Sequence, residues 1–244
     1  MPRRPRVALA GVPVHLIQRG HNRDACFFAD EDYVLYLDHL AELSAKFGCA
    51  VHAYVLMTNH VHLLLTPRQT EGTSLLMKHL GQRYVQYVNR AYGRSGTLWE
   101  GRFRSCLAQE EGYVLACQRY LELNPVRAQV VKHPRHYRWS SYRSNAEGKA
   151  SAFLTPHAQY LALGSTEEAR REAYRQLFRS ELDPEVVQEI RDATNGNFVL
   201  GGERFKRQVE MMLGRRVSRG QRGRPRKSEN PSKPTVDPLR GLPS

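Results

Sequence analysis

Residues 49–65 read CAVHAYVLMTNHVHLLL. The run is β-branched and apolar except at Met57-Thr58-Asn59, which predicts two strands joined by a tight turn. Upstream, Tyr33, Leu37, Leu40 and Leu43 to Phe47 recur at helical spacing behind Asp30 as N-cap, and Gly48 stops the helix. Before that, Val12 to Gln18 is a short apolar strand closed by the turn Arg19-Gly20-His21-Asn22-Arg23. Downstream, Thr73 to Tyr92 is amphipathic with Leu75, Leu76, Leu80, Tyr84, Tyr87 and Val88 as its apolar positions, and it ends near Gly93. Gly96 to Leu107 reads as a further strand, and Glu110 to Leu123 as a helix stopped where Asn124 meets Pro125. Strand, helix, strand, strand, helix, strand, helix suits an α+β fold: a ferredoxin-like antiparallel sheet with helices on one face. The last helix is extra to that scheme.

After Trp139-Ser140-Ser141-Tyr142 the texture turns to Ser, Ala, Gly and Lys, so residues 1–145 are expected as one domain. Residues 153–213 read as a small helical appendage, with Thr166-Glu167-Glu168 as one capped start and Asp183-Pro184 as another. From Gly214, seven of fourteen residues are Arg or Lys with no acid among them, and residues 214–244 are expected as a disordered basic tail.

The 244 residues are 41% hydrophobic and 25% charged, a mixture that supports a globular core. Thirty-seven basic against twenty-four acidic side chains leave a net charge of +13, which favours a polyanionic partner, nucleic acid before anionic membrane. No apolar run approaches the roughly 18 residues that span a bilayer, and only Val7 separates Arg6 from Ala8-Leu9-Ala10, too little for a secretory segment. A cytoplasmic protein with no membrane partner is the expectation. Cys26, Cys49, Cys106 and Cys117 stand apart, as buried thiols rather than a disulfide framework or zinc finger.

Side chains alternate faces along a strand, so His60 and His62 project to one side about 6 to 7 Å apart while Val61 and Leu63 face a core. Two imidazoles on a rigid strand can chelate one divalent ion, or they are two ordinary surface histidines. Tyr120 and Asn124 lie one helical turn apart on a common face, which would set a ligand beside a hydroxyl; a half-buried tyrosine followed by an Asn-Pro terminator is the structural alternative. Tyr113 shares that face, but Cys117, one turn beyond it, is a soft donor unsuited to Mg²⁺. His52 and Tyr54 read as core or supporting residues, and His15 and His21 as structural or DNA-contacting.

Taken together, Asn59-His60-Val61-His62 resembles the His-hydrophobe-His motif of HUH endonucleases, and Tyr120-Leu121-Glu122-Leu123-Asn124-Pro125 the tyrosine helix of single-tyrosine transposases. Arg19-Gly20-His21-Asn22-Arg23 and Leu98-Trp99-Glu100-Gly101-Arg102-Phe103 are also similar, in order, over about residues 5–145. The chain looks most like the REP-associated tyrosine transposase (RAYT) group. That resemblance implies Mg²⁺ or Mn²⁺ on His60, His62 and Asn124, with Tyr120 as nucleophile. It further implies single-stranded DNA cleavage and strand transfer through a 5′-phosphotyrosine, on palindromic repeat hairpins. The chemistry is intelligible without the name. A free phenol ionises near pH 10, so a cation must assist it, and an ion with open positions can also offset charge on the scissile phosphate. No general base stands out, and no glycine-rich phosphate loop is present.

Single-stranded or hairpin DNA is thus the expected partner. Arg3, Arg4, Arg6, Arg19, Arg23, Arg83, Arg90, Arg94, Arg102 and Arg104 are available for phosphate contact, about half of them as plain solvated surface. Arg19, Arg23, Arg102 and Arg104 are the ones nearest the motifs. Arg222-Gly223-Arg224-Pro225-Arg226-Lys227 resembles an AT-hook core, though a nonspecific basic tail explains it as simply. One nucleophile per chain suggests a homodimer for joining two ends, or one chain acting twice. A catalytically silent DNA-binding regulator on the same fold is the competing reading, and a zinc-binding module is disfavoured because no cysteine joins the histidines.

Overall fold

The computed structural model describes residues 5–218. Strand β1 (Val14–Arg19) leads through a 3₁₀ turn to α1 (Asp30–Lys46), and the hairpin β2 (Cys49–Met57) and β3 (His60–Pro67) follows. Then come α2 (Gly72–Ala91), β4 (Arg104–Ala108), α3 (Glu110–Glu122) and α4 (Asn124–Arg127). The remainder is α5 (Tyr142–Glu147), α6 (Ala158–Leu161), α7 (Glu167–Gln176), α8 (Pro184–Gly196), β5 (Val199–Leu200) and α9 (Glu203–Leu213). The sheet order is β2-β3-β1-β4-β5, antiparallel except for β5, which runs parallel to β4.

Register assigns the two faces. His15 opposes Leu64, Ile17 opposes His62 and Arg19 opposes His60, so these six share one face, and Leu16, Gln18, Val61 and Leu63 take the other. Helices α1 and α2 cover the second face: Tyr36 packs edge-on against Tyr84, and Gly81 lies against Gln18 and Trp99. The expectation of helices on one face holds for this pair alone. The extra helix α3, together with α8, covers the histidine face, because both faces of β3 are apolar enough to need a partner.

Three local expectations shift. The N-cap of α1 is Ala29, and the carboxylate of Asp32 accepts from the backbone N–H of Phe28 at 2.7 Å and Ala29 at 3.0 Å. The strand expected from Gly96 is regular only over Arg104–Ala108, preceded by a single bridge between Gly20 and Trp99. Asn124-Pro125 does not end the helical path: Pro125 sits in the first turn of α4, where its missing N–H costs nothing.

The C-terminal expectations shift further. Residues 153–213 are mostly helical, but β5 extends the sheet, and Ile190, Ala193, Val199, Leu200 and Val209 join the main core. Without β5 the outer edge of β4 would be left unpaired. The texture change after Tyr142 falls within α5. Of the tail, residues 214–218 are ordered against the body: Val217 is buried and accepts from the N–H of Val199 at 3.0 Å, and Arg215 donates to the carbonyls of Pro5 and Arg6. Residues 219–244, with Arg222 and Arg224, lie outside the described residues, as do Arg3 and Arg4. All four cysteines are free and buried. No helix among the described residues is long and apolar enough to cross a membrane.

Gly20, where β1 turns toward the hairpin, tolerates no side chain. A Cβ there would collide with the carbonyl oxygen of Asp24 and press on that of Asn59. Gly20→Ala is expected to cost about 1 to 3 kcal/mol, read from denaturant midpoints, because the obstacles are backbone and cannot rotate away. An unchanged midpoint would mean the turn is more pliant than its packing indicates.

Candidate active site

Strand β3 places His60 and His62 on the face covered by α3, and their rings meet edge to face with centroids 5.1 Å apart. From α3, the ring of Tyr120 stands 5.8 Å from that of His62 and 5.7 Å from that of His15. Asn124 reaches His60 through a side-chain hydrogen bond. His60, His62, Tyr120 and Asn124 therefore line one cavity of about 300 Å³, with Ile17, Arg19, Arg127 and Thr194 among its other walls. Tyr113 is directed elsewhere, with its hydroxyl 3.3 Å from the carboxylate of Glu189 on α8. His52 is held by Thr155 and Thr66, at 2.7 and 2.8 Å, and lines no part of this cavity.

Burial keeps the imidazoles neutral. It lowers His60 to about 4, helped by the positive Arg19 and opposed by a hydrogen bond in which Asn124 accepts from the ring. His62 is lowered well below the ordinary histidine value, by burial first and then by His15, His60 and nearby arginines. Both are unprotonated at neutral pH, the state that ligates a metal. Among the described residues no group of three or more His, Cys, Asp or Glu is arranged to hold a metal ion; the set here is two imidazoles and an amide.

The arginines divide. Arg19 lines the cavity itself, and with Arg102 and Arg104 it lines an adjoining hollow that shares Ile17 and Asn195. Arg104 donates to Asn195 at 3.1 Å and stands 4.0 Å from Glu100. Arg23 is exposed and lines neither hollow; its carbonyl accepts from the Asn59 amide at 3.0 Å.

Two residues at the site were not singled out for it by sequence. Arg127 lays its guanidinium 4.1 Å above the Tyr120 ring centroid and donates from Nη2 to the Tyr120 carbonyl at 2.7 Å. Its buried Nη1 has no hydrogen-bond partner among the described residues. The spacing of seven residues, two turns beyond Tyr120, was the available clue, masked by reading Asn-Pro as a stop. The second is His15, whose Nε2 lies 2.9 Å from His62 Nδ1. It alternates with Leu16 and so had to face the histidine side.

Behind the tyrosine helix, Glu122 is fully buried. Its carboxylate accepts from Ser141 at 2.6 Å, Asn145 at 2.8 Å and Tyr174 at 2.9 Å, which ties α3 to α5 and α7. Burial pushes this carboxyl up to about 7 against the pull of those three donors.

Residues 9–124 match the family described as "Transposase IS200 like". A solved REP-associated tyrosine transposase bound to a REP hairpin has the same fold, with a TM-score of 0.52 at 16% identity, covering 64% of this chain and 93% of its own. A putative transposase from Deinococcus radiodurans R1 is 21% identical over 53% of this chain and 92% of its own, with a TM-score of 0.35. No curated protein matches the chain.

Proposed function

We propose that this chain cleaves single-stranded DNA through Tyr120 and rejoins it by strand transfer, with Mg²⁺ or Mn²⁺ held by His60, His62 and Asn124. The observation that carries this reading is the meeting of the Tyr120 ring with the His60–His62 pair in one cavity. The donor set fits a hard or borderline divalent ion: two neutral imidazoles, and an amide already within hydrogen-bonding reach of one of them. A bound ion would act as Lewis acid on the scissile phosphate.

The Tyr120 oxygen gives up its phenolic proton and attacks phosphorus, the bond to the 3′ oxygen breaks, and that oxygen takes up one proton and leaves as a 3′-hydroxyl, so protons balance. The product is a 5′-phosphotyrosine, and attack by another 3′-hydroxyl reverses the exchange with the phosphodiester energy retained. Arg127 holds the ring from one face and adds positive charge to the cavity wall. Arg19, Arg102 and Arg104 extend the positive wall along which a backbone can run. The relative solved on a REP hairpin supports hairpin-forming repeat DNA as the substrate.

The test uses 3′-end-labelled single-stranded hairpin DNA with Mn²⁺, followed by denaturing electrophoresis. Label is expected to move with the protein, and EDTA is expected to abolish that transfer while leaving much of the binding. Equal transfer with and without chelator would remove the metal from the reading. Binding with no adduct under any metal would make the chain a silent regulator.

A further inference from the structure

A hydrogen-bond chain runs from the candidate ligand His62 into the C-terminal region, beyond the segment that matches the transposase family. Thr194 of α8 donates its hydroxyl to the carbonyl of Ile190 at 2.7 Å. That oxygen can only accept, so the single hydroxyl proton is committed to it. Thr194 Oγ1, 3.0 Å from His15 Nδ1, must then accept, which makes Nδ1 the protonated nitrogen of a neutral His15. His15 Nε2 is left with a lone pair, 2.9 Å from His62 Nδ1, so His62 donates from Nδ1. Its Nε2 is consequently the unprotonated nitrogen. Cys106 Sγ, 3.3 Å from Thr194 Oγ1, is compatible as a donor because burial keeps its thiol protonated.

His60 is set by a second chain with the same logic. The Asn59 amide donates to the carbonyl of Arg23 at 3.0 Å, which turns its oxygen toward His60 Nδ1 at 2.6 Å. Each imidazole thus has its Nδ1 proton drawn away from the cavity by a route that ends on a backbone carbonyl.

We infer that His15 and Thr194 are positioning residues: they fix His62 in the Nδ1–H tautomer and hold its ring so that Nε2 is presented to a divalent cation. A free neutral imidazole samples both tautomers, and one that must shed a proton from Nε2 or rotate before ligation binds more weakly. Partners of this kind are worth about 10- to 100-fold in metal affinity. The region of residues 153–213 therefore completes the site, since Thr194 belongs to it. The inference rests on the reading of His62 as a metal ligand, and the experiment separates the two.

In metal-free protein, the histidine ring nitrogens are read by long-range proton–nitrogen NMR, with His62→Gln providing the assignment. Wild type is expected to show His62 protonated at Nδ1. Thr194→Val, of nearly equal volume, removes the acceptor for His15 and is expected to move His62 toward the Nε2–H form, while Thr194→Ser retains the wild-type pattern. Calorimetric titration with Mn²⁺ should then give a Kd about 10- to 100-fold higher for Thr194→Val, with Thr194→Ser near wild type. His62 protonated at Nε2 in the wild type, or unmoved by Thr194→Val, overturns the inference, and the wild-type spectrum alone decides this if the variant does not fold. A shifted tautomer with equal Mn²⁺ affinity in all three proteins overturns the positioning role and leaves the metal reading intact. Absence of Mn²⁺ binding by wild type, with the tautomers as expected, defeats the metal reading while the hydrogen-bond chain stands.

Discussion

Tyr120→Phe is expected to fold, to bind hairpin DNA like the wild type, and to form no covalent adduct. The ring of Tyr120 is nearly buried, and its contacts with His15, His62 and the Arg127 guanidinium are all made by the aromatic face or edge, which phenylalanine keeps. Stability should therefore stay within about 1 kcal/mol. Cleavage should fall by on the order of 10⁴-fold or more, because no other oxygen replaces the lost nucleophile. The covalent product is the more informative readout, since it reports the attacking atom directly. Residual adduct would require another hydroxyl, and Tyr113 is a poor substitute because its OH is engaged with Glu189. An undiminished adduct in the Phe variant would end the assignment of Tyr120, whatever the family likeness.

Glu122→Ala should destabilise the chain by about 2 to 4 kcal/mol. It removes the shared acceptor of three buried donors, and of these Ser141 and Asn145 keep only the longer contacts to the carbonyls of Tyr54 at 3.3 Å and His52 at 3.2 Å. Glu122→Gln keeps an acceptor for two of them and should be much milder. It also isolates a pH effect. The folded carboxyl titrates at about 7, above its unfolded value of 4.5, so the folded state holds a proton that the unfolded state has released. This contribution is complete below pH 4.5, declines as pH rises, and is gone above about 7; the shift corresponds to roughly 3 kcal/mol. Denaturant midpoints at pH 5 and pH 8 should differ more in wild type than in Glu122→Gln. Equal slopes in the two proteins would show that Glu122 ionises normally.

Much of the site was legible because strand alternation is strict. His60 and His62 had to share a face, and Tyr120 and Asn124 had to share a helix side, so only their meeting remained for the structure to supply. The sheet core and its first two helices were legible too, from periods of two and of about 3.6 residues. What escaped was held by contacts remote in sequence. A strand of two residues, Val199–Leu200, has no period to read, and it forms because β4 offers it an edge. Val217 is one apolar residue in a basic stretch, yet it fills the core from there. Thr194 looks like any polar residue on a helix until the fold brings it beside His15, 179 positions earlier.

The guanidinium of Arg215 grips the carbonyls of Pro5 and Arg6, so the first and last described residues leave the body at one corner. For an engineer this geometry is an invitation: a short peptide could weld residues 5 and 218 together, and fresh ends could be opened in a surface loop far from the cavity. Conversely, a bulky group attached directly at residue 5 would sit beside the cation-π pair that Arg6 makes with Phe103.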